Sequence, residues 1–251
     1  MSGSRTGTLR VYLRAAGLIA LILGCVPLHV ATRALWRDSR WPRRFLAAAG
    51  WLCGLRVEIA GRPLPGDVFF VANHVSWLDI LALGGATGCA FVSRDDIGGW
   101  PIIGWLAAQN NTILVSRGER GAVREQIGAV RDAMARHQPV ALFPEGTTGD
   151  GCTLLPFKPA LFAVLLPPPR AVRVQPVLVD YGPSTGAIAW TGDEPAGSNA
   201  LRVLGRRGGT RVILHFLDPF DPGDHPDRKA IAALARDRLT EAMARSPADA
   251  P

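Results

Sequence analysis

The sequence predicts an α/β fold, a mixed, largely parallel sheet flanked by helices, carrying an N-terminal apolar helical membrane anchor. Three observations lead there. From Leu55 onward, short β-rich runs alternate with helical stretches, the pattern of folds that layer helices on a sheet. Hydrophobic residues make up 48% of the 251 residues, enough for one sizeable core. The basic excess lies almost wholly ahead of the alternating region. Up to Arg44 there are eight arginines against Asp38 alone, which accounts for the net charge of +7, and the remainder is balanced at twenty against twenty.

Those arginines (Arg5, Arg10, Arg14, Arg33, Arg37, Arg40, Arg43 and Arg44) flank an apolar run from Ala15 to Val30. Cations around such a run suit an anionic lipid surface; a face for nucleic acid would not be built around it. The run is shorter than the roughly 20 residues of a spanning helix, so a crossing, a tilted half-insertion and a two-helix anchor are all open. A second stretch, Phe45 to Leu55, has Trp41 and Trp51 placed as interfacial anchors and favours the helical pair. Basic residues on both sides give no crossing direction, and the pattern favours an anchor in one leaflet on the cytoplasmic face. Ile22-Leu23-Gly24-Cys25 loosely resembles a lipoprotein cleavage box, but its second position fits poorly and more apolar, basic sequence follows. Cys25, Cys53, Cys89 and Cys152 have neither paired nor metal-binding spacing and read as core or membrane residues, as a reduced compartment permits.

Residues 1–56 therefore read as the anchor, 57–245 as one catalytic-size domain and 246–251 as a disordered tail. Asp67 to Ala72 is a buried strand ending at Asn73-His74. Ser76 is placed to cap a helix through Leu83, with Asp79 where a capping-box acid belongs. Strands follow at Cys89–Ser93 and Thr112–Ser116, separated by a helix around Ile102–Ala108. Val123, Ile127, Val130 and Met134 recur at helical spacing, making Arg120–Arg136 an amphipathic helix over the sheet. Val140–Phe143 is a strand and Pro144–Gly151 a polar, glycine-rich loop after it, where open α/β sheets place ligands. Pro159–Leu165 can be helical, Val172–Val179 and Arg211–Leu217 are strands, and Asp227–Ala244 is a closing helix.

Two segments carry chemistry. Residues 73–80, Asn-His-Val-Ser-Trp-Leu-Asp-Ile, put a histidine at a strand end and an aspartate five positions later in the first helical turn. An imidazole held by a carboxylate can act as general base, and activating a hydroxyl in this way is worth about 10² to 10⁴ in rate. A capping Asp beside a satisfied His is the plainer reading of the same pair. Residues 143–151, Phe-Pro-Glu-Gly-Thr-Thr-Gly-Asp-Gly, combine a carboxylate, two hydroxyls and flexible backbone amides, chemistry able to grip a polar head group.

Together these segments resemble the lysophospholipid acyltransferase superfamily, whose best-known bacterial members are 1-acylglycerol-3-phosphate acyltransferases. His74 to Asp79 matches its first block and Phe143 to Thr147 its third. Pro101, Gly104 and Arg117 match its second, and Val174-Gln175-Pro176-Val177 resembles its fourth. The resemblance implies that His74 and Asp79 form a catalytic dyad acting without a covalent acyl-enzyme. It also implies that Arg117, Glu145 and Gly146 help bind the acceptor, with Thr147, Thr148 and Lys158 beside them. The implied donor is acyl-CoA or acyl carrier protein, with no metal or redox cofactor, and the implied place is the inner membrane, the catalytic domain facing the cytoplasm.

One departure bears on the acceptor. Many lysophosphatidate-using members carry an arginine after Glu-Gly-Thr, and Thr148 stands there instead, without the bidentate fork that suits a phosphate. Thr148 with the following Gly-Asp-Gly and Leu-Pro-Phe-Lys is similar to members that acylate lyso-ornithine lipid as well as to some phosphatidate-forming ones. Lysophosphatidate is placed first, as the commonest acceptor of the family and because Arg117 remains, and lyso-ornithine lipid second. Asp218, Asp221, Asp224 and His225, interleaved with Pro219, Pro222 and Gly223, read as turn and cap residues, and Asp95-Asp96 as a turn. No Gly-x-Ser-x-Gly elbow, P-loop or dinucleotide glycine pattern occurs. A transacylase or hydrolase on this fold and a lipid-binding protein without activity are the rival readings.

Overall fold

Alternation along Val68–Ala72 decides how the layers form. The strand is buried throughout; Phe70 and Ala72 enter one apolar cluster, Phe69 and Val71 the other, so helices must cover both faces. The computed structural model describes residues 2–36, 39–94, 99–115, 120–135, 137–168 and 170–245. Its elements are α1 (Ser2–Leu35), α2 (Trp41–Leu52), β1 (Leu55–Gly61), β2 (Val68–Ala72), α3 (Leu78–Thr87), β3 (Ala90–Arg94), α4 (Pro101–Gln109), β4 (Ile113–Val115) and α5 (Arg120–Ala135). There follow β5 (Val140–Leu142), a 3-10 helix (Pro159–Leu165), β6 (Arg173–Asp180), α6 (Thr185–Ile188), α7 (Ala196–Gly205), β7 (Thr210–Phe216) and α8 (Arg228–Arg245). Among the described residues seven strands form one sheet in the order β1-β7-β6-β2-β5-β3-β4; β6 and β7 pair antiparallel and every other neighbouring pair is parallel. The sheet is thus mixed and largely parallel, as expected.

Most elements lie within a residue or two of their expected places; α3 instead runs four residues past Leu83, to Thr87, where Gly88 ends it in the left-handed conformation. β1 and α7 were not anticipated. β1 is an edge strand, buried at Leu55 and exposed at most later positions, so it has no alternation to read; parallel pairing with β7 and the Glu58–Arg211 ion pair at 2.6 Å hold it. Residues 95–96, Ser116, Arg117, Arg136 and the tail 246–251 lie outside the described residues. Cys152 is exposed in a loop, unlike the buried Cys53 and Cys89, which corrects the expectation that all four cysteines are core or membrane residues. Asp221 Oδ1 accepts from the Gly223 amide at 2.8 Å, a cap on a single 3-10 turn.

The N-terminal segment read as an anchor differs more. The apolar run is not confined to Ala15–Val30: α1 is continuous over 34 residues, through Pro27, and Gly7–Leu35 is long and apolar enough to cross a membrane by length and composition. Its polar residues do not break the helix because they find partners. Thr32 Oγ1 donates to the Leu28 carbonyl one turn back, at 2.6 Å, and Trp41 Nε1 of α2 donates to Thr32 Oγ1 at 3.0 Å. Three of the arginines read as lipid-facing instead grip helix ends. Arg14 donates to the Leu204 carbonyl at 2.8 Å and Arg10 to Gly205 at 3.2 Å, at the end of α7, while Arg43 reaches Gly85 and Ala86 at the end of α3. Cations there meet unsatisfied carbonyls and the negative end of the helix dipole.

α2 packs on α3 at unusually short range because α3 carries Gly84 and Gly85. A Cβ at Gly85 would lie 2.7 Å from Ala47 Cα and 2.8 Å from Ala47 N, backbone that cannot rotate away. Gly85→Ala should therefore lower stability by about 1–3 kcal/mol, read as a lower thermal midpoint in detergent. An unchanged midpoint would mean that the two helices separate freely.

Candidate active site

β2, β5, β6, β3 and β4 run parallel, so their C-terminal ends share one edge of the sheet, where open α/β sheets form crevices. His74 lies two residues beyond β2, Glu145 three beyond β5, and Tyr181 directly follows β6. β2 continues past its end through Asn73, whose amide side chain donates to the Val179 carbonyl at 3.1 Å and accepts from the Val179 amide at 2.7 Å. This fixes the backbone immediately before His74.

His74 Nδ1 and Asp79 Oδ2 are 2.7 Å apart; the imidazole is 17% exposed and the carboxylate 0%. An ionised carboxylate only accepts, so Nδ1 carries the proton and the Nε2 lone pair is left available. Asp79 is held by four donors. Besides His74, Oδ2 accepts from the Val75 and Ser76 amides at 2.7 and 2.9 Å, and Oδ1 accepts from the Tyr181 hydroxyl at 2.6 Å. The capping and dyad readings of Asp79 are thus compatible: one oxygen caps the start of α3 and orients the imidazole. The helix begins one residue later than Ser76 predicted, with Ser76 Oγ accepting from Leu78 at 3.4 Å. Burial and the adjacent Asp79 charge push the Tyr181 phenol well above its ordinary pKa, keeping it a donor.

Beneath the dyad, Glu145 is buried and both its oxygens are taken: Oε1 accepts from the His74 amide at 2.8 Å and Oε2 from Leu155 at 2.9 Å. Desolvation raises its pKa in spite of these two donors. A contact from Glu145 to an acceptor would have to reach a carboxylate that is only 3% exposed. The His74 ring stacks on Phe143, centroids 4.1 Å apart at 13°, and Phe143 lies parallel to Phe91 at 5.9 Å, so the imidazole rests against an apolar wall.

The rest of the loop folds back over His74, with the Gly149 amide donating to the His74 carbonyl at 2.7 Å. Gly146 has a φ of +70°, and a Cβ there would meet Lys158 Nζ at 2.7 Å, so glycine both permits the turn and makes room for the cation. Lys158 and Thr147 are exposed. The Thr148 hydroxyl is turned inward, donating to the Trp190 carbonyl. Of the residues expected at the site, His74, Asp79, Glu145, Gly146, Thr147, Thr148 and Lys158 are brought to one edge; Arg117 lies outside the described residues. Tyr181 and Trp190 were not foreseen. For Tyr181 a signal existed, its position just past the end of a buried strand; for Trp190 we find none in the sequence.

Trp190 belongs to a polar brace beside the site. Its indole donates to the Glu194 carbonyl, the Glu194 carboxylate holds Arg202 and Asn199 at 2.8 Å each, and buried Asn199 accepts from Trp77 Nε1 at 3.1 Å. The Arg202 hydrogen bond, then that of Asn199, lowers the Glu194 pKa from 4.5 to about 2. A depressed carboxylate stabilises the fold above its unfolded pKa and loses that contribution as pH falls toward the folded value. Wild type should therefore lose more thermal stability than Glu194→Gln between pH 4.5 and about 2, narrowing the gap between them. Parallel acid titrations of the two midpoints would show the brace to be inert.

Comparison with known proteins agrees with this architecture. The Acyltransferase family description matches residues 56–180. A lyso-ornithine lipid O-acyltransferase of Rhodobacter capsulatus is 32% identical, covering 93% of this chain and 90% of its own. A 1-acyl-sn-glycerol-3-phosphate acyltransferase of Neisseria gonorrhoeae is 36% identical over 55% of this chain and 54% of its own. The crystal structure of the 1-acyl-sn-glycerophosphate (LPA) acyltransferase PlsC from Thermotoga maritima superposes with a TM-score of 0.72 over the whole of both chains, at 21% identity, a likeness of fold. A His–Asp pair at the sheet edge, the four sequence blocks around it and relatives aligned over nine-tenths of their length converge on one assignment: the chain belongs to the acyltransferase family and is an O-acyltransferase.

Proposed function

We propose that the enzyme transfers a fatty acyl group from a thioester, acyl-CoA or acyl carrier protein, to the free hydroxyl of lyso-ornithine lipid. His74 Nε2 takes the hydroxyl proton as the oxygen attacks the thioester carbonyl. The tetrahedral intermediate then collapses, the carbon–sulfur bond breaks, and the imidazolium returns its proton to the leaving thiolate. Asp79 keeps Nδ1 protonated and stabilises the imidazolium. Atoms balance as ester plus free thiol. Tyr181 and Glu145 are positioning residues, acting through Asp79 and through the His74 backbone.

The observation that carries this acceptor is the inward-turned Thr148, whose hydroxyl is spent on Trp190 where a phosphate-binding arginine would stand. Exposed Lys158 beside Gly146 is a single point charge, suited to a carboxylate head group. Relatives aligned over most of their length bear the lyso-ornithine name, which moves this acceptor ahead of lysophosphatidate. Lysophosphatidate is the second reading, favoured by the same Lys158 together with Arg117. We place the reaction at the cytoplasmic face of the inner membrane, α1 and α2 forming the anchor.

The test offers both lysolipids to the detergent-purified enzyme with acyl-CoA and acyl carrier protein donors, following diacyl product and released thiol. Product on lyso-ornithine lipid alone supports the proposal. Product on lysophosphatidate alone transfers it to the second reading, and product without thiol release from either donor overturns the donor assignment.

A further inference from the structure

α4 is built inside out for a helix on a water-facing surface. Only Gly104 of this helix is buried, while Trp100 at its N-cap is 49% exposed, Ile102 64%, Ile103 48% and Trp105 42%. An amphipathic helix normally turns its large apolar residues toward the core. Here the small residue faces inward and the large ones outward. The helix itself carries no charge: residues 97–116 contain no Asp, Glu, Lys or Arg. A contiguous apolar face of this kind marks an interaction surface.

Its neighbours indicate what covers it. At the C-terminal end of α4, Gln109 Oε1 lies 3.2 Å from Nε2 of His29, a buried residue of α1, and His29 Nδ1 is 2.8 Å from Ser39 Oγ. α4 is therefore joined to the helix whose Leu23, Leu28, Val30 and Leu35 are exposed. Two tryptophans among isoleucines match the preference of indoles for the boundary between acyl chains and head groups. At its other end, α4 begins beyond β3, on the sheet edge that holds His74; Phe91 of β3 stacks on Phe143, and Phe143 on His74.

We propose that α4 is a second membrane-contacting element, its Trp100, Ile102, Ile103 and Trp105 inserted in the leaflet that receives α1, so that the lipid surface reaches the dyad edge of the sheet. The inference rests on the reading of α1 as a membrane element and is independent of the acceptor. An apolar face without charge does not complement an acidic carrier protein, and its junction with α1 favours lipid over a second copy.

The experiment uses the full chain with Cys25 and Cys152 replaced by serine, reconstituted in vesicles of phosphatidylethanolamine and phosphatidylglycerol. One added cysteine, Ile103→Cys on α4, Leu23→Cys on α1 or Ala233→Cys on the exposed side of α8, is labelled with bimane in each variant, the native Cys53 and Cys89 being buried. The label at 103 should lose most of its fluorescence to lipids carrying a nitroxide on the acyl chain and resist aqueous iodide, as at 23, with the opposite response at 233. Iodide quenching at 103 equal to that at 233 would overturn the proposal, as would protection from both quenchers, the outcome for a face covered by protein. If the label at 23 also escapes lipid quenching, the membrane reading itself fails; if only 103 does, α4 alone is misassigned.

Discussion

His74→Ala should lower the rate of acyl transfer by about 10² to 10⁴ while leaving the fold intact. The imidazole makes one side-chain hydrogen bond, to Asp79, and stacks on Phe143, so the fold does not depend on it, whereas the proposed reaction uses its Nε2 to take the proton of the acceptor hydroxyl. The contacts that shape this corner use the His74 backbone, its amide on Glu145 and its carbonyl on Gly149, and alanine keeps both. Initial rates with acyl-CoA, read beside the circular-dichroism melting curve, check the expectation. A variant within about tenfold of wild type would move the base elsewhere.

Asp79→Asn should separate charge from shape. The asparagine oxygen can accept from His74, Val75 and Ser76 as Oδ2 does, and its amide then faces Tyr181, whose hydroxyl can rotate to accept. Stability should fall by about 1 kcal/mol, the scale of one altered hydrogen bond. The rate should fall by about 10² to 10⁴, because a neutral partner keeps the tautomer but does not stabilise the imidazolium. Rates and unfolding midpoints of the same preparation test this. Equal losses would make Asp79 a helix cap and nothing more.

Each of these residues was legible to a different degree. His74 and Asp79 are five apart at a strand end, so local geometry alone puts them in reach of each other. Glu145 was legible as a member of the site but not in its contacts, because its partners His74 and Leu155 are 71 and 10 residues away. The arginines of the N-terminal helices show the same limit: a basic residue beside an apolar run reads as lipid-facing, and only the arrival of Gly205, 195 residues from Arg10, shows otherwise.

The sequence by itself determined the layering of helices on a mostly parallel sheet, the pairing of His74 with Asp79 and the polar loop after β5, since these depend on periodicity and on neighbours within a turn or two. Tertiary structure alone decided the edge strand β1, the Tyr181 hydroxyl on Asp79, the inward turn of Thr148 and the outward apolar face of α4. Each of these depends on which distant segment packs alongside, and a side chain's surroundings, unlike its spacing, are not written in the residues next to it.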